Sequence, residues 1–239
     1  IILMVQYISL GMNCASVAHY VNNNIMKSKK KGRLSTPFDL QVSPYFGICK
    51  AINDNFKNFF NIESIDNIYD PNLYKQNFGY LFYSPASNGP YENGLIFNKN
   101  YGFFHNHESY GNPYLYKTEK WPTRDHFHKN NFKLFKERYN KRINNFNLII
   151  KECIEKKEEL VFILNTMYTP IKLKKIIINK YPQLKFKIVC NKFTGATYKY
   201  IEQLCGINED EMIYDKSFSD DVIIMEGWNN KDLIKKLEL

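Results

Sequence analysis

Cys14 stands where a thiol becomes a nucleophile. The apolar run Met4–Leu10 breaks at Gly11, and Met12-Asn13-Cys14-Ala15-Ser16-Val17 then reads as a tight turn entering a helix. First-turn N–H groups and the positive end of the helix dipole favour the thiolate, the form that attacks electrophilic carbon. This predicts a cysteine-based hydrolase or transferase. Such an enzyme needs a base to take the thiol proton and a third group to orient or charge that base. The backbone N–H groups of Cys14 and Ala15 are placed to meet a developing oxyanion, with Asn13 and His107 as further binding candidates.

The five histidines narrow the choice of base. His19 lies about 140° around the helix axis from Cys14, so it points away from the thiol. His105 and His107 close a predicted hairpin, and a loop-edge imidazole there faces the crevice. His126 and His128 fall at the start of a long predicted helix. Asp39 is the acidic residue of a neutral extended stretch and the candidate third member. Each has a plainer reading: Cys14 as a small buried thiol, His105 as a hydrogen-bonded hairpin residue, Asp39 as an Asx-turn or cap.

Three other chemistries compete. The pairs His105/His107 and His126/His128 suit a metal-dependent hydrolase if each lies on a strand, where alternate residues face one side. Gly11 and the N–H groups after it suit a phosphate or sugar nucleotide, which would make this a glycan-processing protein. Lys27–Arg33, Lys172–Lys175 and exposed aromatics suit a basic nucleic-acid-binding module.

The 239 residues include 33 Lys and Arg against 24 Asp and Glu, a formal charge of +9. Much of the excess is Lys beside many Asn, Ile and Tyr, so it gives only a weak anionic partner. Cys14, Cys49, Cys153, Cys190 and Cys205 form no C-x-x-C pair, which argues against a disulfide framework and a zinc knuckle. A reducing, cytoplasmic compartment follows. No apolar run reaches the roughly 20 residues of a membrane span. The opening five residues lack a basic flank and run into the first strand, so Met4 reads as the natural start rather than part of a signal peptide. No cofactor is expected.

The elements that must position these residues alternate along the chain. Strands are expected at 4–10, 160–164, 186–190 and 222–225. Helices are expected at 14–24, 44–56, from between 124 and 132 to 157, and at 171–180, 196–205 and 231–237. Residues 34–40 read as an extended piece, 61–93 as a surface-wrapping loop, and 95–97 with 101–104 as a hairpin. Short apolar strands between helices give a single α/β domain over 1–239, with a mostly parallel sheet, helices on both faces, a β-hairpin and long loops. Ligands of such sheets bind beyond the carboxyl ends of the strands, which is where Cys14 follows the first. Trp228 reads as a packing residue after the last strand.

Five stretches together resemble a known family: Ile8-Ser9-Leu10-Gly11-Met12-Asn13-Cys14, Pro37-Phe38-Asp39-Leu40, Phe104-His105, Tyr139-Asn140-Lys141-Arg142-Ile143 and Leu160-Val161-Phe162-Ile163. They are similar to the domain family of unknown function catalogued as putative papain-like cysteine peptidases, found in bacteria and large DNA viruses. The resemblance runs roughly from residue 5 to residue 228. It departs from the family at Leu40, where a Trp is usual, and at Lys141-Arg142, where two Arg are usual. It implies a Cys14–His105 pair with Asp39 as third member, and hydrolysis or transfer through a thiol. The expected substrate is a peptide, amide or glycan-linked molecule, and the expected setting a host cytoplasm or virion if the source is viral.

Overall fold

The computed structural model describes residues 5–11, 14–68, 95–105, 132–166, 168–192 and 222–226. The chain enters as β1 (Gln6–Ser9), turns at Gly11 and continues as α1 (Cys14–Asn22). After a short 3-10 turn at Lys29–Lys31 comes a second at Pro37–Leu40, then α2 (Tyr45–Asn53). Strands β2 (Ile65–Ile68), β3 (Leu95–Asn98) and β4 (Phe103–Phe104) precede the long α3 (Lys133–Lys156). The remaining elements are β5 (Glu159–Thr166), α4 (Ile171–Lys180), β6 (Lys185–Lys192) and β7 (Val222–Glu226).

The four apolar strands form one parallel sheet in the order β1-β5-β6-β7. Its ladder aligns Gln6 with Leu160, Glu159 with Lys185 and Ile188 with Val222. Strand side chains alternate between faces, so β5 divides its residues between two cores. Val161 and Ile163, with Val189, meet Tyr20 of α1 and Ile25 and Met26 just after it. Leu160, Phe162 and Leu164, with Ile188, meet the larger core supplied by α2, α3 and α4. Helices therefore cover both faces, and the fold is α/β.

The long helix α3 forms where expected and carries an apolar stripe. Phe135, Tyr139, Ile143, Phe146 and Ile150 are buried at helical spacing, and Arg142 is buried among them. Phe132 takes the left-handed conformation at φ 58° just before the first turn, which fixes the helix start.

Two expectations are corrected. Residues 37–40 are not extended but form a 3-10 turn, because Thr36 caps it and Asp39 returns the bond to the Thr36 N–H. Residues 65–68 are not loop but a strand: β2 pairs antiparallel with β3, aligning Ile65 with Asn98. The hairpin at β3 and β4 forms as read, with Phe97 opposite Phe104. Its bend is organised by Asn98, whose amide donates to the Phe59 carbonyl (3.0 Å) and whose oxygen accepts from Asn100 N–H (3.0 Å) and Tyr101 N–H (3.3 Å). The expected helices at 196–205 and 231–237, the remaining stretch 69–93 and Trp228 lie outside the described residues.

Candidate active site

At the carboxyl end of β1 the chain must turn sharply without a side chain. Gly11 sits at φ +90°, and a Cβ built there would lie 3.2 Å from the Phe38 carbonyl oxygen and 3.4 Å from Ser43 Oγ. A glycine alone both adopts that backbone and lets the 38–43 segment approach. Helix α1 then begins at Cys14, so its backbone opens the first turn and the peptide N–H groups of Cys14 and Ala15 belong to the helix start. The Cys14 side chain, Asn13 and His107 lie outside the described positions.

The 36–43 segment leads from this turn to the hairpin. Val42 pairs with Phe104, its N–H donating to the Phe104 carbonyl (2.9 Å) and its carbonyl accepting the Phe104 N–H (3.0 Å). His105 follows directly, its own N–H donating to the Ile96 carbonyl (2.8 Å). Phe38 and Ser43 of this stretch both lie against Gly11, and Val42 between them pairs with Phe104, the residue before His105. Phe38 anchors it, with ring centroids 5.8–6.0 Å from those of Phe56, Phe103 and Phe146.

Asp39 is buried, and its carboxylate is engaged at home. Oδ2 accepts from Arg33 Nη1 (2.6 Å) and from the Thr36 N–H (3.2 Å), and Oδ1 accepts from Thr36 Oγ1 (3.0 Å). These bonds close the capping box and an ion pair that is nearly out of water. None of the carboxylate's hydrogen bonds among the described residues runs to the imidazole of His105.

His105 is fully buried rather than set at a loop edge. Its Nδ1 lies 3.1 Å from the Tyr139 hydroxyl, while Nε2 has no hydrogen-bond partner among the described residues. Edge contacts with Phe59, Phe135 and Tyr139, centroids 4.9–5.6 Å away, hold the ring. Burial first, and then the Arg142 cation, push its pKa from 6.5 down to about 3, so the imidazole is neutral in the folded protein.

The other described cysteines are poor nucleophiles. Cys49, Cys153 and Cys190 are buried thiols outside any disulfide. Burial raises the Cys49 pKa to about 12 and that of Cys153 to about 11. Their contrast with a thiol at a helix start is one of environment.

Several polar residues near the site escaped the sequence reading. Asn165 and Asn191 stand opposite each other toward the carboxyl ends of β5 and β6, with Asn191 Nδ2 donating to Asn165 Oδ1 (3.1 Å) and to the Tyr20 hydroxyl of α1. Gln41, fully buried, donates to Ser43 Oγ (2.9 Å) beside Gly11. Tyr139 and Arg142 come from α3, the guanidinium 4.5 Å above the phenol ring. The available signal was a polar residue ending each apolar strand and a cation on the core-facing stripe of a helix.

Among the described residues no three His, Cys, Asp or Glu side chains gather as a metal site. His107, His126 and His128, on which the metal reading relied, lie outside them. No described helix is long and apolar enough to cross a membrane.

Residues 5–191 match the family described as "putative papain-like cysteine peptidase". The chain belongs to this family. The match takes in Cys14, Asp39 and His105 and ends within β6, short of the residue 228 reached by the resemblance. Neither a curated protein nor a solved structure matches the chain. Membership in this family supports thiol-dependent hydrolysis as the class of reaction.

Proposed function

We propose that this family member hydrolyses or transfers acyl groups at peptide or amide-like bonds, with Cys14 as nucleophile and His105 as its proton acceptor. The observation that carries the reading is the 38–43 segment, whose Phe38 and Ser43 both lie against Gly11 while Val42 between them pairs with Phe104, the residue before His105. Asp39 serves the reading through that segment: with Arg33 and Thr36 it fixes the turn whose Phe38 carbonyl lies against Gly11. In the reaction the sulfur bonds to the carbonyl carbon and the helix-start N–H groups stabilise the oxyanion. The amine leaves with the thiol's proton, and water then cleaves the thioester and restores the thiol.

Because burial keeps the resting imidazole neutral, the thiol owes its reactivity to the helix start together with proton transfer to His105 as the sulfur attacks, and not to a standing imidazolium partner. Alkylation with iodoacetamide between pH 5 and 9, mapped by mass spectrometry, tests this. Cys14 is expected to react below its unperturbed pKa of about 8.5, along a single ascending limb, while Cys49, Cys153 and Cys190 stay silent in the folded protein. Reaction of Cys14 only above about pH 8.5, or not at all, overturns the reading.

A further inference from the structure

We infer that Tyr139, and not Asp39, is the residue that orients the His105 imidazole. The inference rests on the Cys14–His105 reading and supplies its missing third member. Asp39 is unsuited by geometry, since both its oxygens are occupied by Arg33 and Thr36. The Tyr139 hydroxyl lies 3.1 Å from Nδ1, with both side chains fully buried.

The tautomer follows from what each nitrogen meets. Nε2 has no protein partner among the described residues. A buried N–H left without an acceptor is rarer and costlier than a buried lone pair left without a donor. The proton therefore sits on Nδ1 and donates to the Tyr139 oxygen, and Nε2 presents its lone pair, the form a proton acceptor requires. Nothing allows the ring to turn easily: Phe59 and Phe135 press its edges, and the His105 N–H is tied to Ile96. The Tyr139 ring is fixed in turn, stacked on Phe59 at 5.1 Å with Arg142 at 4.5 Å.

A phenol in place of a carboxylate sets the tautomer without attracting positive charge to the imidazole. The pair consequently rests with a neutral imidazole, which takes the thiol's proton as the sulfur attacks and passes it to the leaving amine, and Tyr139 acts as a positioning residue that never touches the substrate.

The experiment is nitrogen-15 NMR of the histidine side chains, with His105 assigned by His105→Gln, in the full chain and in Tyr139→Phe. This substitution keeps the ring that Phe59 and Arg142 contact and deletes only the hydroxyl. The wild type is expected to show Nδ1 protonated, and Tyr139→Phe to show the proton moved to Nε2 and Cys14 alkylation at pH 7 slowed about tenfold or more. Protonated Nε2 in the wild type, or an unchanged tautomer in the variant, overturns the inference. The wild-type spectrum decides even if the variant does not fold. His105→Gln separates the two claims: if it leaves Cys14 alkylation unchanged, the Cys14–His105 pair fails, whatever the tautomer measurement gives for Tyr139.

Discussion

Between β5 and β6 a continuous parallel ladder runs from Glu159 to Thr166, and Val161, Ile163, Phe162 and Ile188 ask only for apolar neighbours on either side. In the described parts of 33–68 and 95–105 individual side-chain bonds fix the course of the chain. Asp39 closes a turn on Arg33 and Thr36, Asn98 builds a bend against Phe59, and the Tyr101 hydroxyl donates to Asp54 (2.7 Å) while accepting from the Asn58 N–H (3.0 Å). The first region is stabilised by area removed from water, a term spread over many residues. The second depends on a few buried polar groups that cost free energy once a partner is lost. The two proposed reacting residues come one from each region, Cys14 after β1 of the sheet and His105 after β4 of the bonded region.

Substitutions should expose the difference, and the largest effect is expected at Asp39. Asp39→Ala removes the partner of an Arg33 side chain that is only 10% exposed and opens the Thr36 cap. A loss of about 4 kcal/mol in urea unfolding is expected, as for other broken buried pairs. A loss under about 1 kcal/mol would place Arg33–Asp39 with exposed pairs instead.

The next effect sharpens the contrast within the packing itself. A Cβ at Gly47 of α2 would lie 1.9 Å from the Tyr101 carbonyl oxygen, so helix and hairpin bend cannot both stay in place. Gly47→Ala is expected to cost about 3 kcal/mol. Ile177→Val, which trims one methylene from the core under the parallel sheet, is expected to cost about 1 kcal/mol. Equal costs in paired thermal melts would erase the distinction between the regions.

A smaller effect appears with acid. The folded pKa of His105 is depressed to about 3 from 6.5. The unfolded chain therefore takes up a proton between those values and the folded one does not. The imidazole's contribution is intact above pH 6.5 and is lost as pH falls, by about 2 kcal/mol at pH 5. The urea midpoint should fall more between pH 7.5 and pH 5 for the wild type than for His105→Gln, and parallel falls would show that His105 is not held neutral.

Much of the parallel half was legible because its signals are local. Apolar runs of strand length between helical stripes gave β1, β5, β6, β7, α3 and α4 close to their observed bounds. The bonded half was harder to read. Ile65-Asp66-Asn67-Ile68 carries little strand signal by itself and becomes β2 because β3 offers it an edge. Pro37-Phe38-Asp39 looks extended until Asp39 is seen to bond the Thr36 N–H. At the site, Gly11 and the helix opening at Cys14 were visible in the order of residues. Tyr139 belongs to the apolar stripe of α3, and nothing in its spacing shows that its hydroxyl meets His105, 34 positions away.

The sequence alone determined the alternation of strands and helices, the glycine turn after β1 and the placing of a cysteine in a first helical turn, since these depend on backbone preference and on neighbours within a few residues. Tertiary structure decided the electrostatics. Only packing buried the His105 imidazole, brought Arg142 near it and gave its nitrogen to a phenol while Arg33 took the carboxylate. Desolvation and hydrogen-bond choice are set by what surrounds a group in space, and chain order does not specify those surroundings.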